Sequence, residues 1–212
     1  MSDPAMSVRA SPPQAEPAAL RYDRTAIALH WTVAVLIVVV GTLGLLHDSW
    51  PRRTQAFWIN LHALIGLTVW GLIVLRLWWR LTHPPPALPP EIGVLPRRLS
   101  HAVHLLLYLL VLVTPLVGIV TFIWHGRAFD FGLFRVDFGV RKNPAIFQPT
   151  EDLHGYLAYT LFALIGIHVL AALWHQFVWR DRLLRRMWPT TAPESAQPPV
   201  VESAPRARSS VG

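Results

Sequence analysis

Four apolar runs, at about residues 25–46, 57–80, 98–124 and 153–180, constrain this chain more than any other feature. Each exceeds the ~20 residues that a helix needs to cross hydrocarbon. Inside a bilayer the backbone must satisfy itself, so only helices or a closed barrel can span it, and no ten-residue segment alternates as barrel strands do. The expected fold is therefore an all-α membrane protein, a four-transmembrane-helix bundle. Hydrophobic residues make up 53% of the 212 positions, and the charges are gathered outside the runs rather than scattered through them.

Residues 1–20 are too polar to open a signal peptide, and the run that follows is too long for a cleaved one. They are read as a disordered cytoplasmic tail before a retained first helix. Residues 21–188 form the transmembrane domain, and residues 189–212, rich in Pro, Ser, Ala and Arg, a second disordered cytoplasmic tail. With four spans, the N-terminus, the 81–97 loop and the C-terminus share a side. Counting Arg76 and Arg80 with it, that side holds thirteen basic residues and the other six. The positive-inside rule then places both termini in the cytoplasm. The net charge of +7 is mostly this topology signal, and since the charges flank spans instead of striping a soluble face, no nucleic-acid partner is expected. Membrane lipid is the expected surroundings.

His83-Pro84-Pro85-Pro86 with Pro89-Pro90 predicts a stiff connection between the second and third spans. In the 125–150 loop, Phe129, Phe131, Phe134, Phe138 and Phe147 interleave with Gly126, Gly132 and Gly139. This predicts a compact amphipathic segment that caps the bundle on the periplasmic side. Thr114-Pro115 should bend the third span and free the Val111 carbonyl.

The chain has no Cys, which removes disulfides, iron–sulfur clusters, thiolate ligation and covalent haem attachment. No Asp or Glu falls inside the four runs, so an ion-conducting role has little support. The ionisable groups left at depth are almost all histidines.

His154 and His168 lie fourteen residues apart, about 21 Å of helix and nearly four turns, so both leave one face at two depths. Matching depths across the spans pairs His62 with His154 and His30 with His168. Each pair could fill both axial positions of a haem iron through neutral imidazole nitrogens, giving two non-covalent b-type haems enclosed by the bundle. Taken singly, each histidine could equally be a neutral side chain bonded to a neighbouring helix. Gly41, Gly66 and Gly118 could present small surfaces beside such cofactors, or serve ordinary small-residue packing.

The segments Ala28-Leu29-His30-Trp31, Ile59-Asn60-Leu61-His62, Leu99-Ser100-His101-Ala102-Val103-His104, Leu153-His154-Gly155 and Gly166-Ile167-His168 with His175 resemble the bacterial cytochrome b561 family over residues 20–188. The Phe-Gly-Leu loop and the Trp179-Arg180-Asp181 exit are most similar to its superoxide oxidase branch. The resemblance implies His30, His62, His154 and His168 as haem ligands, a periplasmic superoxide donor and ubiquinone as acceptor. It also implies a quinone site near His104 and His175, where histidine can donate a hydrogen bond and a proton. Arg52, Arg53, Arg127, Arg135, Arg141 and Lys142 could steer a small anionic reductant such as superoxide, or bind lipid head groups. Two alternatives stay open. One is the cytochrome b subunit of a hydrogenase or dehydrogenase, docking a redox partner protein. The other is a non-redox metal carrier, which would need three or four ligands at one depth.

Overall fold

The computed structural model describes residues 21–86, 93–181 and 183–189. Both tails, Pro89-Pro90 and Arg182 lie outside the described residues. Four helices dominate: α1 (Arg24–Leu45), α2 (Arg52–Thr82), α3 (Val94–Trp124) and α4 (Pro144–Trp174). All four are long and apolar enough to cross a membrane. A two-stranded hairpin, β1 (Phe129–Asp130) and β2 (Arg135–Val136), lies between α3 and α4.

Local chemistry sets the helix starts. Asp23 caps α1 by accepting from the Ala26 amide at 2.8 Å, and Asn143 caps α4 by accepting from Ala145 at 3.1 Å with Pro144 behind it. That cap starts α4 about nine residues before the apolar run does, so Phe147 belongs to a helix and is buried, not part of the loop. The end of α3 is closed by Gly126 at φ +78°, whose amide returns to the Ile123 carbonyl at 2.9 Å. Within the spans, Thr42, Thr68, Thr121 and Thr160 bond back to the carbonyl four residues earlier, so hydroxyls facing hydrocarbon need no outside partner.

Pro115 does not interrupt α3, which runs as one helix through it. The carbonyl recruited beside it is that of Thr114, not Val111, as described below.

Helices adjacent in sequence pack most closely, whereas α1 and α4 make little backbone contact. The buried core is a thin layer at mid-bundle, built from Val33 and Ile37 of α1, Val69 and Ile73 of α2, Val111 of α3 and Leu161 of α4. Outward positions such as Val38 at 66% and Leu170 at 68% exposure are apolar, as a lipid-facing surface requires.

Both ends of the described chain meet at one end of the bundle. Tyr22 donates its amide to Arg186, Arg21 bonds the Trp188 carbonyl, and Trp31 Nε1 bonds the Met187 carbonyl at 2.8 Å. We call this the termini end. At the opposite hairpin end, the Asn60 side chain grips both backbone groups of Asp130, at 2.8 and 3.0 Å. The hairpin is thus fixed to α2. Phe129 is buried, while Phe131, Phe134 and Phe138 are exposed and Leu133 is 97% exposed, so the segment caps the bundle with only part of its aromatic face.

Candidate functional site: two histidine clusters in the bundle

Leu161 sits halfway between His154 and His168 on α4, so the mid-bundle layer separates the two histidine levels. At the hairpin end, the rings of His62 and His154 face each other with centroids 6.0 Å apart and planes at 84°. At the termini end, His30 and His168 are 6.5 Å apart at 77°. A metal held between two imidazoles at about 2 Å from each nitrogen, with about 1.2 Å more to each ring centre, needs centroids about 6.4 Å apart. Both pairs match. His104 also approaches His168, with centroids 5.3 Å apart, too close for a metal on the line between them. His104 therefore lies at the level of the termini-end pair, not apart from it as its position in α3 suggested.

The hairpin-end pair is built from one repeated device. His62 Nδ1 donates to the Val40 carbonyl and His154 Nδ1 to the Thr114 carbonyl, each at 2.9 Å. Four residues after each carbonyl comes a glycine on which the ring rests. A Cβ at Gly44 would fall 3.0 Å from His62 Cε1, and one at Gly118 would fall 2.9 Å from His154 Cε1. The missing side chains let the imidazoles reach carbonyls that a larger residue would cover. Bonding at Nδ1 fixes the tautomer and leaves both Nε2 lone pairs free to bind a metal.

Between these rings lies a cavity of about 390 Å³ lined by His62, His154, Gly41, Gly44, Gly66 and Gly118. This is within the range of about 300–1,000 Å³ usual for small-molecule sites. Gly41 meets the ring of Phe162, Gly66 faces open space, and with Gly118 all three glycines singled out in the sequence border the cavity. Gly44 was missed although its separation of fourteen from His30 puts it on the same helical face, because its use depends on the contact with His62 from another helix. Facing rings, free Nε2 atoms and a glycine-walled cavity fit a bis-histidine haem.

The same cavity is lined by Trp50, stacked on Trp58 at 4.5 Å, and by His125, Arg127 and Glu151. Arg127 Nε donates to His125 Nδ1 at 3.2 Å. Burial, with Arg127 and Lys142 nearby, holds the His125 pKa below its usual value. Of the six basic residues at this end, Arg127 alone lines the cavity among the described residues. Five carboxylates (Asp48, Asp130, Asp137, Glu151 and Asp152) share the same end and offset most of the positive charge.

The termini end is tighter. His104 Nδ1 donates to the Ser100 carbonyl at 2.6 Å. Among the described residues no hydrogen bond fixes His30 or His168, and the three histidines do not converge as an ion site. Arg76 Nε donates to the Tyr108 hydroxyl at 3.2 Å, and the Arg80 guanidinium lies 5.8 Å from the Tyr108 ring centre.

His175 opens a five-residue π-helical turn (His175–Trp179) that ends with Arg180 in the left-handed region at φ 55°. That turn swings Asp181 back so that its carboxylate accepts from His175 Nδ1, with Trp179 edge-on to the ring at 4.6 Å. Asp181 was seen in the sequence only as part of an exit motif. Its partnership with His175 depends on a backbone reversal that no spacing rule supplies. His83 stacks flat on Trp79, and His47 bonds the Gly44 carbonyl at 2.9 Å.

Comparison with known proteins agrees with this architecture. A family model described as prokaryotic cytochrome b561 matches residues 21–190. The chain is 29% identical to the probable superoxide oxidase CybB of Yersinia pestis over 80% of its length and 96% of that protein. It is 30% identical to cytochrome b561 homolog 2 of Escherichia coli (strain K12), covering 79% of this chain and 90% of the other. It is also 29% identical to cytochrome b562 of Cereibacter sphaeroides, covering 78% and 94%. With four apolar helices around paired histidines and a family match over most of its length, the chain belongs to the prokaryotic cytochrome b561 family and is a membrane electron-transfer protein carrying b-type haem.

Proposed function

We propose that this chain is a di-haem superoxide:ubiquinone oxidoreductase of the bacterial inner membrane, with both termini cytoplasmic. The observation that carries this reading is the stacking of two opposed-imidazole pairs, at 6.0 and 6.5 Å, on either side of an apolar layer. His62 with His154 would hold one haem near the periplasm, and His30 with His168 a second near the cytoplasm. Bound there, the haems would supply one-electron transfer across the membrane. With both imidazoles of each pair engaged by a haem, oxygen species would find no open iron position, which favours outer-edge electron exchange over oxygen activation.

Superoxide as donor is supported by the similarity to a protein described as a probable superoxide oxidase and by the Arg127 guanidinium lining the hairpin-end cavity. Two superoxide anions give two electrons and leave as two dioxygen molecules, while one ubiquinone takes those electrons with two protons to become ubiquinol. The protons are assigned to the cytoplasmic side. There Asp181 accepts from His175 Nδ1 and would stabilise the imidazolium, so that Nε2 can donate a hydrogen bond, then a proton, to a quinone oxygen. His104, held at Nδ1 by Ser100, is the second candidate for that pocket.

The test is a haem-to-protein ratio with a reduced-minus-oxidised spectrum, followed by haem reduction with a superoxide source and reoxidation by a soluble ubiquinone analogue. Two low-spin haems that reduce and reoxidise in turn are expected. A single haem, or no reduction by superoxide, would sink the reading. The exposed hairpin tip of Phe131, Leu133 and Phe134 favours a second reading, a cytochrome b subunit that docks an iron–sulfur partner there. Copurification of such a partner, with no response to superoxide, would select it.

A further inference from the structure

Arg76 is a charged side chain placed where charge is costly. It lies six residues, about 9 Å of helix, before the end of α2, and its Nη1 is buried with no hydrogen-bond partner. A guanidinium cannot shed its proton, so a buried one needs an anion nearby. Among the described residues none is available. Asp23 is engaged by the Ala26 amide and by Trp79 Nε1, Asp181 is engaged by His175, and no carboxylate forms an ion pair with Arg76.

The position of this guanidinium narrows the choice of anion. Arg76 Nε donates to the Tyr108 hydroxyl, one helical turn along α3 from His104, whose ring lies 5.3 Å from that of His168. The Arg76 side chain borders a recess of about 20 Å³ shared with Arg80, Trp79, Tyr108, Tyr22 and Met187, and Ala26, one turn before His30 on α1, borders the same recess. That volume suits a group of a few atoms, a carboxylate rather than a quinone ring. Two arginines and a tyrosine hydroxyl around it are the donors a carboxylate takes.

We infer that Arg76, assisted by Arg80, binds a propionate carboxylate of the haem held between His30 and His168, and so raises the reduction potential of that haem. This rests on the di-haem reading proposed above. A cation next to the cofactor disfavours the more positive ferric state. The other end differs: Arg127 is paired with His125 and shares its cavity with Glu151. The asymmetry makes transfer from the hairpin end to the termini end downhill. Arg76 is a positioning residue in this account, since it acts through the haem carboxylate.

The test is a redox titration of purified protein, with the two midpoints assigned by which signal His30→Ala removes. In Arg76→Gln the termini-end midpoint should fall by about 59 mV or more, a tenfold change in the ferrous-to-ferric ratio for one electron. The hairpin-end midpoint should hold, and Arg76→Lys should recover most of the fall. Wild-type protein reconstituted with haem dimethyl ester, whose propionates are blocked, should show the same fall, and Arg76→Gln should add nothing to it. An unchanged midpoint in Arg76→Gln overturns the inference. Shifts from the variant and the ester that add in full also overturn it, because the partner would then be a lipid phosphate or a free anion. Should Arg76→Gln fail to hold haem, an unchanged midpoint in the wild-type ester form still overturns it. A wild type with only one haem fails the di-haem reading itself, whereas two haems indifferent to Arg76 fail this inference alone.

Discussion

The two ends of the bundle hold histidine pairs at nearly the same spacing but by opposite means. At the hairpin end, two backbone carbonyls fix the ring tautomers and glycines carve a cavity of about 390 Å³. At the termini end three rings crowd together, no carbonyl fixes His30 or His168 among the described residues, and the accompanying recess holds about 20 Å³. One site is preformed by absent side chains; the other is gathered around a buried cation. A preformed site loses less ordering free energy when its cofactor binds. The hairpin end should therefore depend on backbone and glycine, and the termini end on charge.

The largest effect should come from the ligands. His62→Ala and His154→Ala should each abolish the same haem, and His30→Ala and His168→Ala the other, leaving half the pyridine haemochrome absorbance in every case. If His104→Ala instead of His30→Ala removed the termini-end haem, the ring-spacing argument would be wrong. The contrast in carving sharpens next. Gly118→Leu and Gly44→Leu drive a side chain into His154 and His62, so hairpin-end haem occupancy should drop at least about tenfold while the termini-end haem stays. Equal loss of both haems would mean general unfolding instead.

Electron exit should be affected more moderately. His175→Leu should keep both haems reducible but slow reoxidation by a quinone analogue by about 10²-fold, the usual scale for losing a positioned proton donor. Asp181→Asn should slow it less. Wild-type reoxidation rates in both would remove the termini-end quinone site. A smaller effect is expected from salt. Because five carboxylates offset six cations at the hairpin end, superoxide-driven reduction should slow only a few-fold as ionic strength rises to about 0.15 M. A neutral reductant should show no trend, and a steep fall would point to a steering field that the charge balance does not supply.

The smallest effect concerns Asp23. Burial pushes its pKa up, but the Ala26 amide and Trp79 indole bonds outweigh that and hold it below the usual value. The folded chain therefore binds fewer protons at this site than the unfolded chain. Its contribution is fully present above the unfolded value of about 3.9 and is lost as pH falls below that through the lower folded value. Asp23→Ala should cost about 1 kcal/mol of stability as a lost helix cap, measurable in thermal denaturation at pH 7 and fading in strong acid.

Spans and their number were legible because bilayer thickness and helix rise are fixed lengths, so residue counts convert directly into depth. His154 and His168 needed only their separation of fourteen to be read as two levels on one face. The start of α4 was not legible from hydropathy, since the cap at Asn143 precedes the apolar run and helix propagation, not hydrophobicity, sets that boundary. Nor could the sequence show His104 packed against His168, distinguish Gly44 from other glycines, or foresee Asp181 folding back on His175. Those outcomes depend on crossing angles and on a π turn, where differences of about 1 Å decide which atoms meet. The periodicity of one helix specifies which side chains share a face; only the packed bundle decides what stands opposite them.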